Sequence, residues 1–309
     1  MALVPTVGHA FRRLSFSSSR RGKTRRVFLL YFIMIPVYYI NLDRSVERNQ
    51  DITDSLNKLG VDYHRISGID AKNISRKAAS NNLNDGMIQD MKYKVKHDAR
   101  FSPREKEIAI ILSHLKALTQ AKEQEISIIM EDDMCFQYVR DWHQQIKNII
   151  EEAPQDWSII KLHSSSRLVI ENNISLWEKG VKYNKLADLN SAGCYIIKKN
   201  MALQILSKYC IDGTYTFPHD NELCVCEHII FNMPNTYIYT LPFICSVKNN
   251  VTCCGNYNIL DSQSNKAIEE FWKTLGVNIS CAHYKNKPKN KTALNIRQMM
   301  NNKKKETPQ

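Results

Sequence analysis

The run Ile126-Ser127-Ile128-Ile129-Met130-Glu131-Asp132-Asp133 carries an apolar stretch straight into three consecutive acids. Its first five residues suit a buried strand. Three adjacent carboxylates repel one another and need compensation. At the C-terminal end of a strand in an open α/β sheet they would stand where such sheets bind ligands. Side chains alternate along a strand, so Glu131 and Asp133 are expected to aim at one spot and Asp132 away from it. A divalent cation with oxygen ligands, bridging a diphosphate, would balance that pair. A solvated acidic turn capping the next helix is the alternative.

Outward from this run, strand-like and helix-like segments alternate, which predicts an α/β fold. Val37–Asn41 reads as a short buried strand. Ser45 is placed to cap a helix that reaches about Leu59, with Ile52, Leu56 and Leu59 on one face and Gly60 as its stop. Tyr63–Ile66 is a second strand. Residues 71–100, polar and rich in Asn and Lys, read as a long loop with a short helix. Ser102-Pro103-Arg104-Glu105 predicts a helix start with a capping box, continued by Ile108, Ile111, Leu112, Leu115 and Leu118. Helices are also expected over 141–152, over 200–209 and after Phe217-Pro218-His219-Asp220. Further strands are expected at Ser158–Leu162, Ala192–Ile197 and Tyr237–Leu241. An amphipathic piece near Ile268–Leu275 precedes a polar, Lys/Asn-rich end.

The chain has 309 residues, with 43 Lys+Arg against 31 Asp+Glu and a formal net charge of +12. A hydrophobic content of 43% with only ten Gly and nine Pro excludes a disordered or collagen-like chain. The excess charge first suggests a polyanion partner. It is not evenly spread. Residues 1–33 hold seven basic residues and no acid, and residues 285–309 hold eight against Glu306 alone, which leaves the stretch between slightly negative. The expected organisation is a basic extension over 1–33, a globular domain over 34–255, and an extension over 256–309 with a basic tail. Such tails suit peripheral contact with anionic lipid and give no reason to expect a specific nucleic acid. Nine cysteines, an odd number without a CxxC pair, fit reduced thiols in an intracellular, cytoplasmic chain. Five N-x-S/T sequons, at Asn73, Asn173, Asn250, Asn278 and Asn290, do not establish secretion in so Asn-rich a sequence. The uncharged run Val27–Ile40 is too short for a spanning helix of ~20 residues. It is broken by Pro36, and its second half has a better use as a strand.

The motifs around the acidic run form a pattern. Val37-Tyr38-Tyr39-Ile40-Asn41-Leu42-Asp43-Arg44-Ser45, with Arg48, resembles the opening strand of glycosyltransferase family 25. Ser67-Gly68-Ile69-Asp70, Glu107-Ile108-Ala109 with Leu112-Ser113-His114, and Ile128 through Asp133 resemble that family's next segments in order. Asp156-Trp157 with Lys161-Leu162, Gly193 through Ile197, and Pro218-His219-Asp220 resemble the segments that follow. Ala109-Ile110 and Lys198 depart from the family's usual residues. The family holds lipooligosaccharide (lipopolysaccharide biosynthesis) galactosyltransferases and collagen hydroxylysine galactosyltransferases.

The resemblance implies a GT-A, Rossmann-like fold with a mixed central sheet flanked by helices. It implies a UDP-sugar donor, chiefly UDP-galactose, an inverting reaction, and a glycan or hydroxylysine acceptor. Under it Asp133 is the first choice as ligand to Mn²⁺ or Mg²⁺. Glu131 is a second ligand, through water, or a partner of the donor's ribose. Asp132 belongs to the donor site as support for the turn. Asn41, Asp43, Arg44 and Asp70 fall where the nucleotide is held. Arg48 reads either as their neighbour or, preferably, as a surface pair. His114 is either a satisfied core histidine or a lining of the donor pocket. Asp220 suits the catalytic base that takes the acceptor's proton, and equally a helix cap. His219, His228 and His283 are open choices for a nitrogen ligand. Two other functions are weighed: a nucleic-acid binder using the basic tails, and an inactive scaffold of the same fold, against which the intact Glu131/Asp133 pair argues.

Overall fold

A computed structural model describes residues 35–74, 86–95, 104–185, 190–217, 223–247 and 257–277. The chain divides into two units, residues 1–33 and 34–309, the first lying outside the described residues.

The chain enters the central sheet at β1 (Val37–Asn41), passes through α1 (Val46–Lys58) and returns as β2 (Tyr63–Ser67). After a single 3-10 turn at Ala71–Asn73 come β3 (Gly86–Ile88) and β4 (Met91–Val95), then α2 (Glu105–Ala121) and β5 (Ile126–Glu131). Next are β6 (Met134–Cys135), α3 (Trp142–Glu151), β7 (Ile159–Lys161), α4 (Arg167–Glu178) and β8 (Tyr183–Lys185). The chain continues through β9 (Cys194–Lys198), α5 (Lys199–Tyr209), β10 (Cys210–Ile211), β11 (Thr214–Phe217) and α6 (Cys226–Phe231). It closes with β12 (Thr236–Tyr239), β13 (Cys245–Ser246) and α7 (Tyr257–Thr274).

The main sheet has the order β2-β1-β5-β9-β7-β12-β8. β1, β2, β5, β7 and β12 run one way, while β9 and β8 oppose them. This is the mixed α/β sheet flanked by helices that the sequence predicts. Its inner strands β1, β5, β9 and β7 are buried on both faces, which is why they read as apolar runs. On one face Tyr38, Ile40, Ile129, Tyr195 and Ile197 pack with α2, α5 and α6. On the other, Val37, Tyr39, Ile128, Met130 and Ile196 pack with α1, α3 and α7. The chain goes from β1 to β2 on one side and comes back as β5 on the other, with Ile40 paired to Glu131. The order therefore reverses between β1 and β5, whose C-terminal ends are Asn41 and Glu131. Parallel sheets open a ligand crevice at such a reversal.

Several expectations are corrected. Residues 71–100 are not all loop: β3 and β4 form a hairpin, and β4 joins β11 in a second sheet of order β10-β11-β4-β3. Met91, Tyr93 and Val95 are buried while Lys92 and Lys94 are exposed, a strand's period of two hidden in a Lys-rich composition. The turn is carried by Gln89 and Asp90, both at positive φ. α2 starts at Glu105 with Arg104 at its N-cap, later than a Ser102 cap would set it; Ser102 and Pro103 lie outside the described residues. Ser45 makes no side-chain cap. Gly60, at φ +64°, does follow the end of α1. α4 and β8 were not expected. α7 is longer than the expected amphipathic piece, and its Ala267, Ile268, Phe271 and Trp272 belong to the same core as β1 and β5. A boundary at 255/256 therefore does not separate this helix from the globular domain.

Among the described residues no helix is long and apolar enough to cross a membrane, and Val37–Ile40 of the apolar run serve as β1. Cys135, Cys194, Cys210, Cys224, Cys226 and Cys245 are free thiols. Asn173 is buried on α4, so that sequon presents no accessible amide.

Candidate active site

The acidic turn sits at the reversal point, and its three carboxylates have different surroundings. Asp132 is turned inward. Asn41 Nδ2 donates to its Oδ2 at 2.6 Å, and Arg48 Nη1 stands 3.2 Å from its Oδ1. Asn41, itself buried, also donates to Ser45 O at 3.1 Å and accepts from Arg65 Nε at 3.0 Å. Its amide is thus consumed in joining β1, β2, α1 and β5. Burial pushes the Asp132 carboxyl up to about 6, against the pull of Arg48 and Asn41. Asn41 was expected where the nucleotide is held and Asp132 as a support facing away from it; both are buried and bonded to each other. Arg48, expected on the surface, is the cation of this support.

Glu131 faces the other helix layer. Its Oε1 lies 3.3 Å from His114 Nε2, and His114 Nδ1 lies 3.1 Å from the Tyr195 hydroxyl. His114 is buried on α2 and Tyr195 is buried on β9. Burial opposes ionisation of Glu131, yet the hydrogen bond and charge of His114, with His163 and Arg48, hold its carboxyl below the usual range. Burial keeps the Tyr195 phenol neutral, well above its ordinary value. His114 is therefore both core-packed and tied to the site. Glu131 keeps about a third of its side chain exposed, while Asp132 keeps 5%.

β5 ends at Glu131, so strand alternation stops there and Asp132-Asp133 form a turn into β6. The main chain is pinned on both sides: Glu131 N donates to Gly193 O at 2.8 Å, and Val247 N donates to Asp133 O at 2.7 Å. Across from Glu131, a Cβ on Gly193 would stand 2.8 Å from His163 Nδ1 and 2.8 Å from Met134 Cε. Only glycine lets β9 pass so close. His163 bridges Ser191 Oγ at 3.0 Å and Ser246 Oγ at 3.1 Å, and Asn265 of α7 clamps the Ser246 main chain. One strand over, Lys161 is buried at the end of β7, with its ammonium on Asn190 O. Glu227, in the first turn of α6, feels the charges of Glu131, Lys161 and His114; burial raises its carboxyl above the usual range.

Asp43, Arg44 and Asp70 follow the C-terminal ends of β1 and β2. Asp43 is exposed and accepts from Arg65 Nη2 at 2.6 Å and from Ser67 Oγ at 3.0 Å; the Arg65 bond leads in holding its carboxyl low. Arg44 Nε lies 2.5 Å from Asp70 Oδ2, and Asp70 Oδ1 accepts from Lys72 N. Burial works against ionisation of Asp70, but Lys72 and Arg44 outweigh it and lower the carboxyl. His228 lies on α6. Asp220, His219 and His283 lie outside the described residues. Sequence reading missed Arg65, His163, Lys161, Tyr195 and Glu227. Arg65 and Tyr195 carry no local signal. Lys161, a lone lysine inside an apolar run, was the readable anomaly.

The donor set can be tested against a divalent cation. Among the described residues no three His, Cys, Asp or Glu side chains converge as a metal cage. Glu131, at the end of β5, and Asp133, in the turn after it, carry hard carboxylate oxygens. This fits a Mg²⁺- or Mn²⁺-type ion that completes its shell with substrate phosphate and water, and it does not fit a closed all-protein site.

The acidic turn thus lies at the reversal of a mixed α/β sheet, and the sequence comparison is specific. The family described as glycosyltransferase family 25 (LPS biosynthesis protein) matches residues 34–221, more than half of the chain, and the chain belongs to that family. It is thus a glycosyltransferase, acting between a sugar donor and a glycan acceptor. No curated protein matches the chain. Among solved structures, it is similar to the crystal structure of a glycosyltransferase involved in the glycosylation of the major capsid of PBCV-1. That likeness has 6% identity and a TM-score of 0.29, covering 75% of this chain and 98% of that one. It is too slight to argue from.

Proposed function

We propose that this glycosyltransferase is metal-dependent and inverting, and that it moves a hexose, chiefly galactose, from a UDP-sugar to a hydroxyl of a glycan or hydroxylysine acceptor. The observation that carries the proposal is the acidic turn at the β1/β5 reversal. There Glu131 is partly exposed beside His114 while Asp132 is locked inward by Asn41 and Arg48. The sheet order, with β9 antiparallel between β5 and β7, supports a GT-A reading of the fold.

Glu131 and Asp133 would hold Mn²⁺ or Mg²⁺. A cation there supplies charge neutralisation for the departing diphosphate. The protein's own residues do the rest. Asn41, Asp132 and Arg48 fix the floor between β1 and β5. His114 and Tyr195 hold the Glu131 carboxylate in place. Asp43, Arg44 and Asp70 line the rim after β1 and β2, where the nucleotide would lie. Asp220 would take the proton of the attacking hydroxyl, a contribution of ~10²–10⁴-fold for positioned bases.

The test is UDP release from a panel of UDP-sugars, with and without Mn²⁺, by the parent chain and by Asp133→Ala and Asp220→Ala. Metal-stimulated release that is lost in Asp133→Ala is expected. Metal-independent turnover, or full activity in Asp133→Ala, would sink the mechanism.

A further inference from the structure

The acidic turn is held by its main chain from two sides. Glu131 N donates to Gly193 O at 2.8 Å, and Val247 N donates to Asp133 O at 2.7 Å. Gly193 stands directly before β9 and Val247 directly after β13, two segments far apart in sequence. One buried side chain spans them. His163 sets Nδ1 3.0 Å from Ser191 Oγ and Nε2 3.1 Å from Ser246 Oγ. Ser191 Oγ in turn accepts from Gly193 N at 3.0 Å, and Ser246 is the residue before Val247. A neutral imidazole donates from one nitrogen and accepts at the other, and a hydroxyl can answer either. The ring therefore ties the two holders of the turn to each other.

The tie is costly to build. Ser191 sits at φ +68°, a left-handed conformation unfavourable for a serine. Such strain collects at functional sites. On the far side, buried Asn265 of α7 fixes Ser246, accepting from its N at 3.2 Å and donating to its O at 2.8 Å. Burying polar side chains costs more than apolar packing, and a satisfied polar network gives fixed geometry in return. Ser246 and Asn265 also lie beyond residues 34–221, the stretch that matches the family.

We propose that His163 is a positioning residue for the acidic turn. Through Ser191 and Ser246 it sets the spacing of the Glu131 and Asp133 main chains, and α7 completes the site through Asn265. The inference rests on the metal and UDP reading above. Removing a group that orients metal ligands typically lowers metal affinity 10–100-fold.

The experiment follows Mn²⁺ binding in the presence of UDP by the paramagnetic resonance of the free ion, with thermal unfolding beside it. Ser191→Gly separates positioning from stability. It removes the hydroxyl and also relieves the strain, since glycine adopts positive φ freely. Its Tm is expected within about 3 °C of the parent, while its affinity for Mn²⁺ with UDP falls about tenfold. His163→Phe and Asn265→Leu should lower both. Ser191→Ala and Ser246→Ala act through one ring, so their double variant should lose clearly less than the product of the single losses. Affinity kept within about twofold in Ser191→Gly, or single losses that simply multiply, would overturn the inference. So would a loss of affinity that tracks the fall in Tm across all the variants, which is the mark of a merely structural network. A parent chain that binds no Mn²⁺ with UDP would overturn the metal reading itself, and this inference with it.

Discussion

Asp132 and Glu131 are neighbours in sequence, yet one is 5% exposed between Arg48 and Asn41 while the other keeps about a third of its side chain open beside His114. The first closes the seam between β1 and β5. The second stands at the end of β5 beside Gly193, whose carbonyl holds its main chain and against which His163 packs. The contrast teaches that a run of acids is not a unit. Each residue's role follows from which side of its strand it leaves and what that side already holds.

The largest expected effect breaks the inward half. Asp132→Ala leaves Arg48 and Asn41 without their partner, and removing one member of a buried pair costs about 3–5 kcal/mol. Glu131→Gln should cost about 1 kcal/mol or less, the scale of one hydrogen bond, and act on turnover instead. Urea unfolding of both variants checks this, and equal stability losses would erase the distinction.

The same half should also show in pH. An acid whose folded pKa lies above its unfolded value favours the native state while protonated. For Asp132 that contribution is complete below the ordinary value of 3.8 and is lost as pH rises through about 6. In EDTA-treated protein the stability should therefore fall by up to roughly 3 kcal/mol across this window from Asp132 alone. Subtracting the curve of Asp132→Asn isolates it. A difference curve that rises with pH would reverse the assignment.

Gly193→Ala probes the open half. The new methyl must displace His163, Met134 or Ser191, an overpacking cost of about 1–3 kcal/mol. It should lower both Tm and turnover, because Gly193 O also holds Glu131 N. The smallest effect belongs to the rim. Arg44 is about half exposed in its pair with Asp70, and such pairs contribute about 0–1 kcal/mol. Arg44→Ala should leave Tm nearly unchanged while weakening UDP binding. A clear loss of stability would move Arg44 from the rim to the supporting frame.

Much of the sheet was legible. β1, β5 and β9 are apolar runs because both their faces are covered, and α1 shows its apolar spacing and its Gly60 stop openly. The β3–β4 hairpin was not legible, since its alternation is carried by Met91, Tyr93 and Val95 between lysines within a polar stretch. α7 was underestimated because its buried Ser264 and Asn265 read as surface residues. Asn265 is buried to hold Ser246 beside His163, a need that appears only after β13 has met β6.

The sequence by itself determined the acidic turn, the strand that leads into it and the family to which the chain belongs, because these are local patterns in one short run after another. Only the tertiary structure decided which acid is buried, which cation serves it, and which distant side chains share the crevice. Those outcomes depend on strand order and on the two covered faces of the sheet. Arg48 and His114 come from two separate helices and His163 from the segment after β7, and no periodicity in any one of them reports the others.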